Sequence, residues 1–186
     1  MSKVEGELTL DGVNALDPQT FIDRLGGVFE HSPWVAEGAW QQRPFANVES
    51  LHEAMCGVVD RSPREMKEAL IMAHPDLVGR AAENGSLTPT SAKEQASAGL
   101  DRLSAEEIAL FRAYNRLYKE KFGFPFVICV RENRKEAILA GFNSRLENSR
   151  DQEIETALRE IAKITRLRLE DLFSAVRGDE HSRIAE

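Results

Sequence analysis

Hydrophobic residues recur every three or four positions along most of this chain, a spacing that places them on one face of an α-helix. The segments NVESLHEAMCGVV and KEAILAGFNSRL show this period, and so does a long run that begins near residue 150. The apolar residues of the long run that fall largely on one face are Ile154, Leu158, Ile161, Ile164, Leu167, Leu169 and Leu172. We therefore predict an all-α fold of seven to nine helices.

Polar residues ahead of the apolar runs predict where several helices begin. Asp17 and Ser32 each precede a proline, so each places a capping acceptor before a residue favoured in the first helical turn. Ser104 and Glu107 have the capping-box spacing. With no internal repeat and no Pro/Ser-rich linker, residues 1–186 are expected to form one compact domain. Its core should cover about residues 16–176, and residues 177–186 should form a flexible tail.

One segment does not follow the helical pattern. FGFPFVICV, residues 122–130, is rich in aromatic and β-branched residues and is interrupted by Pro125, which disfavours a regular helix. We predict that it is extended and buried. Extended backbone leaves N–H and C=O groups in need of partners, and an amide-rich ligand could supply them.

Composition narrows the functional classes. A net charge of -7 argues against a general nucleic-acid binder, which needs a basic face, but one arginine could still bind a small anion. Cys56 and Cys129 are far apart among apolar neighbours, so we interpret both as buried thiols of a reducing compartment. The sequence begins with no signal-peptide pattern, contains no apolar run of ~18 residues and does not end in a Ser-Lys-Leu type signal. We therefore expect a cytoplasmic protein with no membrane partner.

A metal site is not expected. Glu49 and His52 form one Glu-x-x-His pair, whereas a di-iron bundle needs two such pairs, and no zinc-ligand spacing occurs. The interpretation that follows is that Glu49 and His52 lie on a solvated helix face.

The run TPTSAKEQASAGLDRL has two interpretations. Ser91 and Glu94 have the spacing of another capping box, which would make them structural residues. Alternatively, Ser91, Glu94 and Gln95 present donors and acceptors from one helical turn, as recognition of a polar heterocycle requires.

His74 and Arg168 also have two interpretations each. His74 ends an apolar run and precedes Pro75, so it could cap a helix C-terminus, where the helix dipole favours a protonated imidazole. A proton donor needs the same protonated state. Arg166 and Arg168 could form a solvated stripe, but Arg168 lies between leucines and could instead bind a carboxylate or carbonyl in a pocket.

Five motifs together add a family resemblance. They are LGGVFEHSPWVAEGAW, AHPDLVGR, LTPTSAKEQASAGLDRL, KFGFPFVICVR and RLRLEDL, in this order. The chain resembles the 2-oxo-4-hydroxy-4-carboxy-5-ureidoimidazoline (OHCU) decarboxylase family over about residues 16–176. The combination of His-Pro-Asp-Leu with Ser-x-x-Glu-Gln is specific, although neither motif is specific alone. Val78 stands where alanine is more usual in the family, and this puts no catalytic residue in doubt.

The resemblance implies an all-helical enzyme that needs no cofactor and no metal, and that converts OHCU to (S)-allantoin in urate breakdown. His74 would be the catalytic histidine and Glu94 the second catalytic group. The substrate-binding residues that the resemblance implies are Pro75, Ser91, Ala92, Lys93, Gln95, Phe126, Val127, Ile128, Cys129, Val130 and Arg168. A homodimer and functional coupling to the preceding 5-hydroxyisourate hydrolase are also implied. The competing hypothesis is a non-catalytic ureide-binding or partner module of the same pathway, which would use the same pocket without a proton donor.

Overall fold

The computed structural model describes residues 8–79 and 85–183, with side chains described as far as residue 174. These residues contain nine α-helices, one short 3₁₀ helix and no β-strand. The α-helices are α1 (Leu10–Ala15), α2 (Pro18–Leu25), α3 (Trp34–Trp40), α4 (Val48–Arg61), α5 (Arg64–Met72), α6 (Pro89–Ser97), α7 (Ala105–Phe122), α8 (Lys135–Arg145) and α9 (Arg150–Arg183), and the 3₁₀ helix is Val130–Glu132. The all-α prediction is confirmed.

Capping explains two of the helix starts. The Asp17 side chain accepts a hydrogen bond from the Thr20 amide at 3.0 Å, and Ser104 forms the expected reciprocal capping box with Glu107. Ser32 does not cap α3: that helix begins at Trp34 with Pro33 at the N-cap position, where no side chain satisfies the first amides. The sequence therefore located this start to within one residue but assigned the wrong cap.

The chain forms two compact units. The first unit comprises Met1–Pro63 and Thr165–Glu186, and the second unit comprises Arg64–Ile164. In the first unit, α2 packs on α3 and α3 packs on α4. Phe21, Leu25, Val35, Leu51 and Met55 are fully buried there, so the apolar faces of these helices form its core.

Aromatic side chains form much of the core of the second unit. Helix α7 buries Phe111, Tyr118 and Phe122 at helical spacing and packs on α8. The rings of Phe126 and Phe142 stack with their centroids 3.8 Å apart, and the Tyr118 ring meets Phe126 edge-on at 5.2 Å. Such pairs add to the free energy gained from burial alone.

The segment predicted to be extended is buried and irregular over residues 124–129. Phe122 still belongs to α7, which ends at Gly123 with a left-handed φ of 80°, and Val130 begins the 3₁₀ helix. Several backbone groups in this segment are bound by the protein itself, among them the Cys129 carbonyl, which accepts from Asn133 Nδ2 at 2.9 Å. Arg145 Nη1 donates to the Val127 carbonyl at 2.7 Å, and the Cys129 amide donates to Glu160 Oε2 at 2.8 Å.

A buried ionic network surrounds Arg145. Its Nη2 lies 2.9 Å from Oε2 of Glu153, whose side chain is completely buried, and its guanidinium carbon lies 4.3 Å from the centre of the Phe126 ring. Glu153 also accepts hydrogen bonds from the Tyr118 hydroxyl and from Asn148 Nδ2. Burial raises the pKa of Tyr118, so the phenol stays protonated and acts as the donor to Glu153. Every group in the network is thus paired, as a buried charge requires.

Glu68 gives a pH-dependent prediction for the second unit. Hydrogen bonds first from Arg150 and then from Arg64 lower the pKa of Glu68 to about 2, with N–O distances of 2.8 Å to each arginine. A depressed carboxyl pKa contributes stability above the unfolded-state value of about 4.3, and that contribution is lost as the pH falls toward 2. We expect Glu68→Gln to lower the melting temperature at pH 7 and to have a clearly smaller effect at pH 2.5, where most of this contribution has been lost.

The measurement is thermal unfolding of the wild type and the variant at both pH values. Glu65→Gln, an exposed carboxyl on the same helix, is the control and should change neither melting temperature appreciably. An equal effect of Glu68→Gln at both pH values would contradict the ionic origin of this stabilisation.

Helix α9 extends further than the sequence suggested. It has 34 residues and continues to Arg183, so residues 177–183 of the predicted tail have helical backbone, and residues 184–186 lie outside the described part. The apolar face predicted for this helix is confirmed at Ile154, Ile161 and Leu169, whereas Leu172 is 39% exposed. Among the helices described here, none has the length and apolar content that a bilayer span requires.

Candidate active site in the second unit

His74 lies just beyond the last turn of α5. Its amide donates to the Ile71 carbonyl at 3.1 Å, and its side chain is buried. Nδ1 lies 2.9 Å from the Leu70 carbonyl oxygen. Because a carbonyl oxygen only accepts hydrogen bonds, Nδ1 carries a hydrogen, and Nε2 is the ring nitrogen at which a proton can be exchanged with a ligand. The two interpretations of His74 therefore combine: the ring closes the helix end through Nδ1 and can act chemically through Nε2.

The loop after His74 is tightly held. Lys119 Nζ lies 2.5 Å from Asp76 Oδ2, Asn115 Nδ2 donates to the Leu77 carbonyl at 2.7 Å, and the Val78 amide donates to Gln95 Oε1 at 3.2 Å. Val78 has a φ of 53°, in the left-handed region that a β-branched residue rarely adopts. Such a conformation costs roughly 1–3 kcal/mol and persists only where the surroundings impose it.

Helix α6 buries a polar face. Its N-cap is Thr88, whose hydroxyl accepts from the Ser91 amide at 3.2 Å, so the interpretation of Ser91 and Glu94 as a capping box is wrong. Ser91 lies inside the helix instead. The buried residues of α6 are Ser91, Glu94 and Gln95, which share one face at spacings of three and four residues. A helix normally buries its apolar stripe, so a buried polar face is unusual and makes α6 a candidate element for a polar-ligand site.

The other two residues of the predicted α6 motif lie on the same helix but outside its buried face. Ala92 and Lys93 are exposed, so the structure does not bring their side chains to the buried face. Their contribution to binding stays a prediction. Pro75 is half-buried beside His74.

Contacts within the second unit bring three of the predicted segments together. Gln95 joins α6 to the loop after His74, and α6 packs against the 3₁₀ helix that begins at Val130. In the extended run, Phe126, Val127 and Cys129 are buried and Ile128 is half-buried. A ligand contact through the backbone of this run stays a prediction. The Val127 carbonyl and the Cys129 amide are already engaged by the protein, through Arg145 and Glu160.

Arg168 belongs to the first unit and is only 5% exposed. Its Nη1 lies 2.8 Å from Glu30 Oε2 and 3.2 Å from the Val28 carbonyl. Arg166, by contrast, pairs with Glu170 at 3.1 Å on the exposed side of α9. The solvated-stripe interpretation thus holds for Arg166 and is wrong for Arg168, whose role toward a ligand stays a prediction.

The interpretation of His52 as a solvated residue is also wrong. His52 is buried in the first unit, where its Nε2 lies 3.1 Å from Thr165 Oγ1. Glu49 is exposed, as expected. Within residues 8–79 and 85–174, no three histidine, cysteine or acidic side chains converge as a metal site would require.

Both thiols are poor nucleophiles. Burial, with smaller contributions from nearby carboxylates, raises the pKa of Cys56 to about 11, and burial likewise raises the pKa of Cys129. Cys129 is buried, as predicted, and Cys56 is half-buried. Because the thiolate is the reactive form, neither residue is suited to nucleophilic catalysis at neutral pH.

Asn115 is a site-proximal residue that the sequence did not single out. It is 5% exposed and occupies the apolar stripe of α7, between Phe111 and Tyr118. Its Oδ1 is buried and accepts no hydrogen bond from any residue that the structure describes. An amide at a core position of an amphipathic helix was the signal that could have identified it.

Comparison with known proteins identifies the family to which this chain is similar. The family model described as OHCU decarboxylase matches residues 14–170. A Haloferax volcanii protein named 2-oxo-4-hydroxy-4-carboxy-5-ureidoimidazoline decarboxylase is 44% identical over 169 residues, which cover 91% of this chain and 98% of that protein.

Two solved structures resemble the fold. A crystal structure of (S)-allantoin synthase has a TM-score of 0.71 at 27% identity, covering 89% of this chain, and this chain spans about half (54%) of that one. A crystal structure of OHCU decarboxylase in the presence of (S)-allantoin has a TM-score of 0.61 at 27% identity, covering 76% of this chain and 91% of that one. With a family model that matches most of its length and a relative that it covers almost completely, this chain belongs to the OHCU decarboxylase family.

Proposed function

We propose that this protein is a carboxy-lyase that decarboxylates OHCU to (S)-allantoin in urate degradation. The observation that carries the proposal is the buried polar face of α6, formed by Ser91, Glu94 and Gln95 and hydrogen-bonded to the loop that follows His74. A ureide ring offers several N–H donors and carbonyl acceptors, which such a face complements.

The substrate suits a catalyst made only of side chains. Its carboxylate is attached to a carbon next to a C=N bond. When the C–CO₂ bond breaks, its electron pair forms a carbon–carbon double bond and the C=N electrons move to nitrogen, which takes a proton. The resulting enol-like intermediate then tautomerises: its hydroxyl becomes a carbonyl and the neighbouring carbon takes a proton. Delivery of that proton to one face gives a single enantiomer, so the protein must orient the ring and supply the proton.

We assign the proton transfer to His74. Its Nδ1–H is committed to the Leu70 carbonyl, which fixes the orientation of the ring and leaves Nε2 to exchange the proton. A positioned imidazole of this kind contributes ~10²–10⁴-fold to a rate.

We assign recognition of the ring to the polar face of α6. The carboxyl oxygens of Glu94 would accept hydrogen bonds from ring or ureido N–H groups, and Ser91 would add a hydroxyl. Because Oε1 of Gln95 accepts from Val78, its NH₂ group is the end that would meet a ligand carbonyl. The roles of Pro75 and Arg168 rest on the family resemblance.

The decisive experiment adds the protein to freshly generated OHCU and follows the optical activity of allantoin. We expect rapid formation of the (S)-enantiomer. Slow formation of racemic product at the rate of a protein-free control, together with tight allantoin binding, would instead support a ureide-binding module.

Glu94→Gln provides a test of the α6 assignment. The variant keeps the size of the side chain but replaces one acceptor oxygen with a donor, so a ligand N–H would face an NH₂ group. Loss of such a buried hydrogen bond costs ~1–3 kcal/mol. We expect the affinity for (S)-allantoin to fall about tenfold or more, as measured by isothermal titration calorimetry, and turnover to fall with it.

Thr90→Ala is the matched control, because Thr90 is exposed on the same helix. It should bind allantoin like the wild type. Unchanged affinity in a folded Glu94→Gln variant would remove Glu94 from the binding site.

We further infer a cytoplasmic homodimer that is functionally coupled to 5-hydroxyisourate hydrolase. The dimer rests on the family resemblance. Leu110 and Leu117, which lie two turns apart on α7 and are 43% and 48% exposed, are the apolar positions at which we would test for an interface. Light scattering of the wild type and of a Leu110→Glu variant measures the molar mass in solution and therefore the dimer. A titration of the hydrolase into the coupled assay measures how the rate of allantoin formation depends on the hydrolase.

A further inference from the structure

The peptide group between Leu77 and Val78 is held at both of its polar ends by buried amide side chains. Asn115 Nδ2 donates to the Leu77 carbonyl at 2.7 Å, and the Val78 N–H donates to Gln95 Oε1 at 3.2 Å. The Leu77 carbonyl and the Val78 N–H belong to the same peptide group. Asn115 and Gln95 therefore clamp one peptide unit from two different helices, α7 and α6.

This clamp fixes which end of each amide faces the peptide group. A carbonyl oxygen only accepts, so Asn115 must present its NH₂ group to Leu77; a backbone N–H only donates, so Gln95 must present its oxygen to Val78. The ends of the two amides that do not contact this peptide group are the NH₂ group of Gln95 and the oxygen of Asn115. The polarity that Gln95 can offer to a ligand is thus set by the orientation of the Leu77–Val78 peptide.

Two unfavourable features of the structure accompany this orientation. Val78 keeps a φ of 53°, which a β-branched residue avoids. Asn115 keeps a buried Oδ1 that accepts no hydrogen bond from the described residues. A rotation of the peptide plane by about half a turn would change φ at Val78, exchange the C=O and N–H ends and select the opposite end of each amide. In that arrangement Gln95 would present an oxygen to the ligand.

We propose that Asn115 is a positioning residue for ligand recognition: it holds the Leu77–Val78 peptide so that Gln95 presents its NH₂ group, and thereby selects ligands with a carbonyl at that point. Asn115 acts through the peptide and Gln95 and does not itself contact the ligand. This inference rests on the proposed function, because it assigns the Gln95 NH₂ group to a carbonyl of the ureide.

A double-mutant cycle on the full chain tests the inference. The variants are Asn115→Leu, which keeps the approximate size but removes the donor, Gln95→Met, which removes the amide, and the double variant. The affinity for (S)-allantoin is measured by calorimetry, kcat and KM are measured with OHCU, and stability is measured by urea unfolding. Asn115→Asp, which exchanges the NH₂ group for an oxygen, goes through the same cycle and replaces Asn115→Leu if that variant does not fold.

The expected result is non-additivity. In the wild-type background, loss of the Asn115 donor should weaken allantoin binding about tenfold and raise KM more than it lowers kcat. In the Gln95→Met background, the same substitution should change the affinity less than twofold, because the amide that Asn115 orients is absent. Phe111→Leu, a core substitution on the same stripe of α7, should lower stability without changing the affinity.

Two results would overturn the inference. One is an equal loss of affinity in both backgrounds; the other is a loss of stability at Asn115 with no change in affinity. In either case a wild type that still converts OHCU leaves the proposed function intact. A wild type that neither binds allantoin nor accelerates its formation would overturn the proposed function and, with it, this inference.

Discussion

Replacement of His74 with glutamine is expected to lower kcat for OHCU by ~10²–10⁴-fold while the protein stays folded. Glutamine is similar in size and can still donate its amide hydrogens to the Leu70 carbonyl, so the end of α5 should keep its hydrogen bond. It cannot exchange a proton near neutral pH. The decarboxylated intermediate would then be protonated by solvent, so the residual product should also lose enantiomeric purity.

Steady-state turnover, the circular dichroism of the allantoin formed and the far-ultraviolet spectrum of the protein together measure this effect. His31→Asn is the control, because the His31 side chain is 69% exposed and asparagine tolerates its left-handed φ of 45°. It should retain wild-type turnover. Near-normal, stereospecific turnover in a folded His74→Gln variant would exclude His74 from proton transfer.

Arg145→Met is expected to cause the largest loss of stability, about 3–5 kcal/mol, because it leaves the completely buried carboxylate of Glu153 without its charged partner. The substitution also removes the donor to the Val127 carbonyl. The double variant Arg145→Met, Glu153→Leu should recover a large part of this loss, since replacement of both charges by apolar groups removes the uncompensated charge.

Urea unfolding of the single and double variants measures these free energies. Arg166→Met, which breaks the exposed pair with Glu170 on α9, is the matched control and should have a far smaller effect. A loss at Arg145 no greater than that at Arg166 would show that the buried network contributes little to stability.

The sequence predicted the fold well because its signals are local. Helical periodicity and the caps at Asp17 and Ser104 act within a few residues, and the structure confirms both caps. The break at Pro125 predicted the extended segment for the same reason. The cap predicted at Ser32 is wrong because the residue following it, Pro33, takes the cap position with helical backbone angles.

The site was less predictable because its partners are distant in sequence. Ser91 and Glu94 have the spacing of a capping box, but Thr88 supplies the cap, and only the tertiary structure shows that the polar face of α6 is buried. Asn115 reaches Leu77 across 38 residues, and no local pattern encodes such a contact. The same holds for Arg145, whose bond to the Val127 carbonyl spans 18 residues.

The buried polar face of α6 also has a consequence for how this protein can change. Apolar side chains at Ser91 and Glu94 would gain hydrophobic burial and avoid the cost of desolvating polar groups, so substitutions there are candidates for raising thermal stability. At Gln95 an apolar side chain would instead leave the buried Val78 N–H without its acceptor. The substitutions at Ser91 and Glu94 would remove groups that we assign to the ligand. Selection or engineering for thermal stability alone would therefore favour substitutions in α6 that abolish activity. The trade-off between stability and activity would then be located in one helical turn.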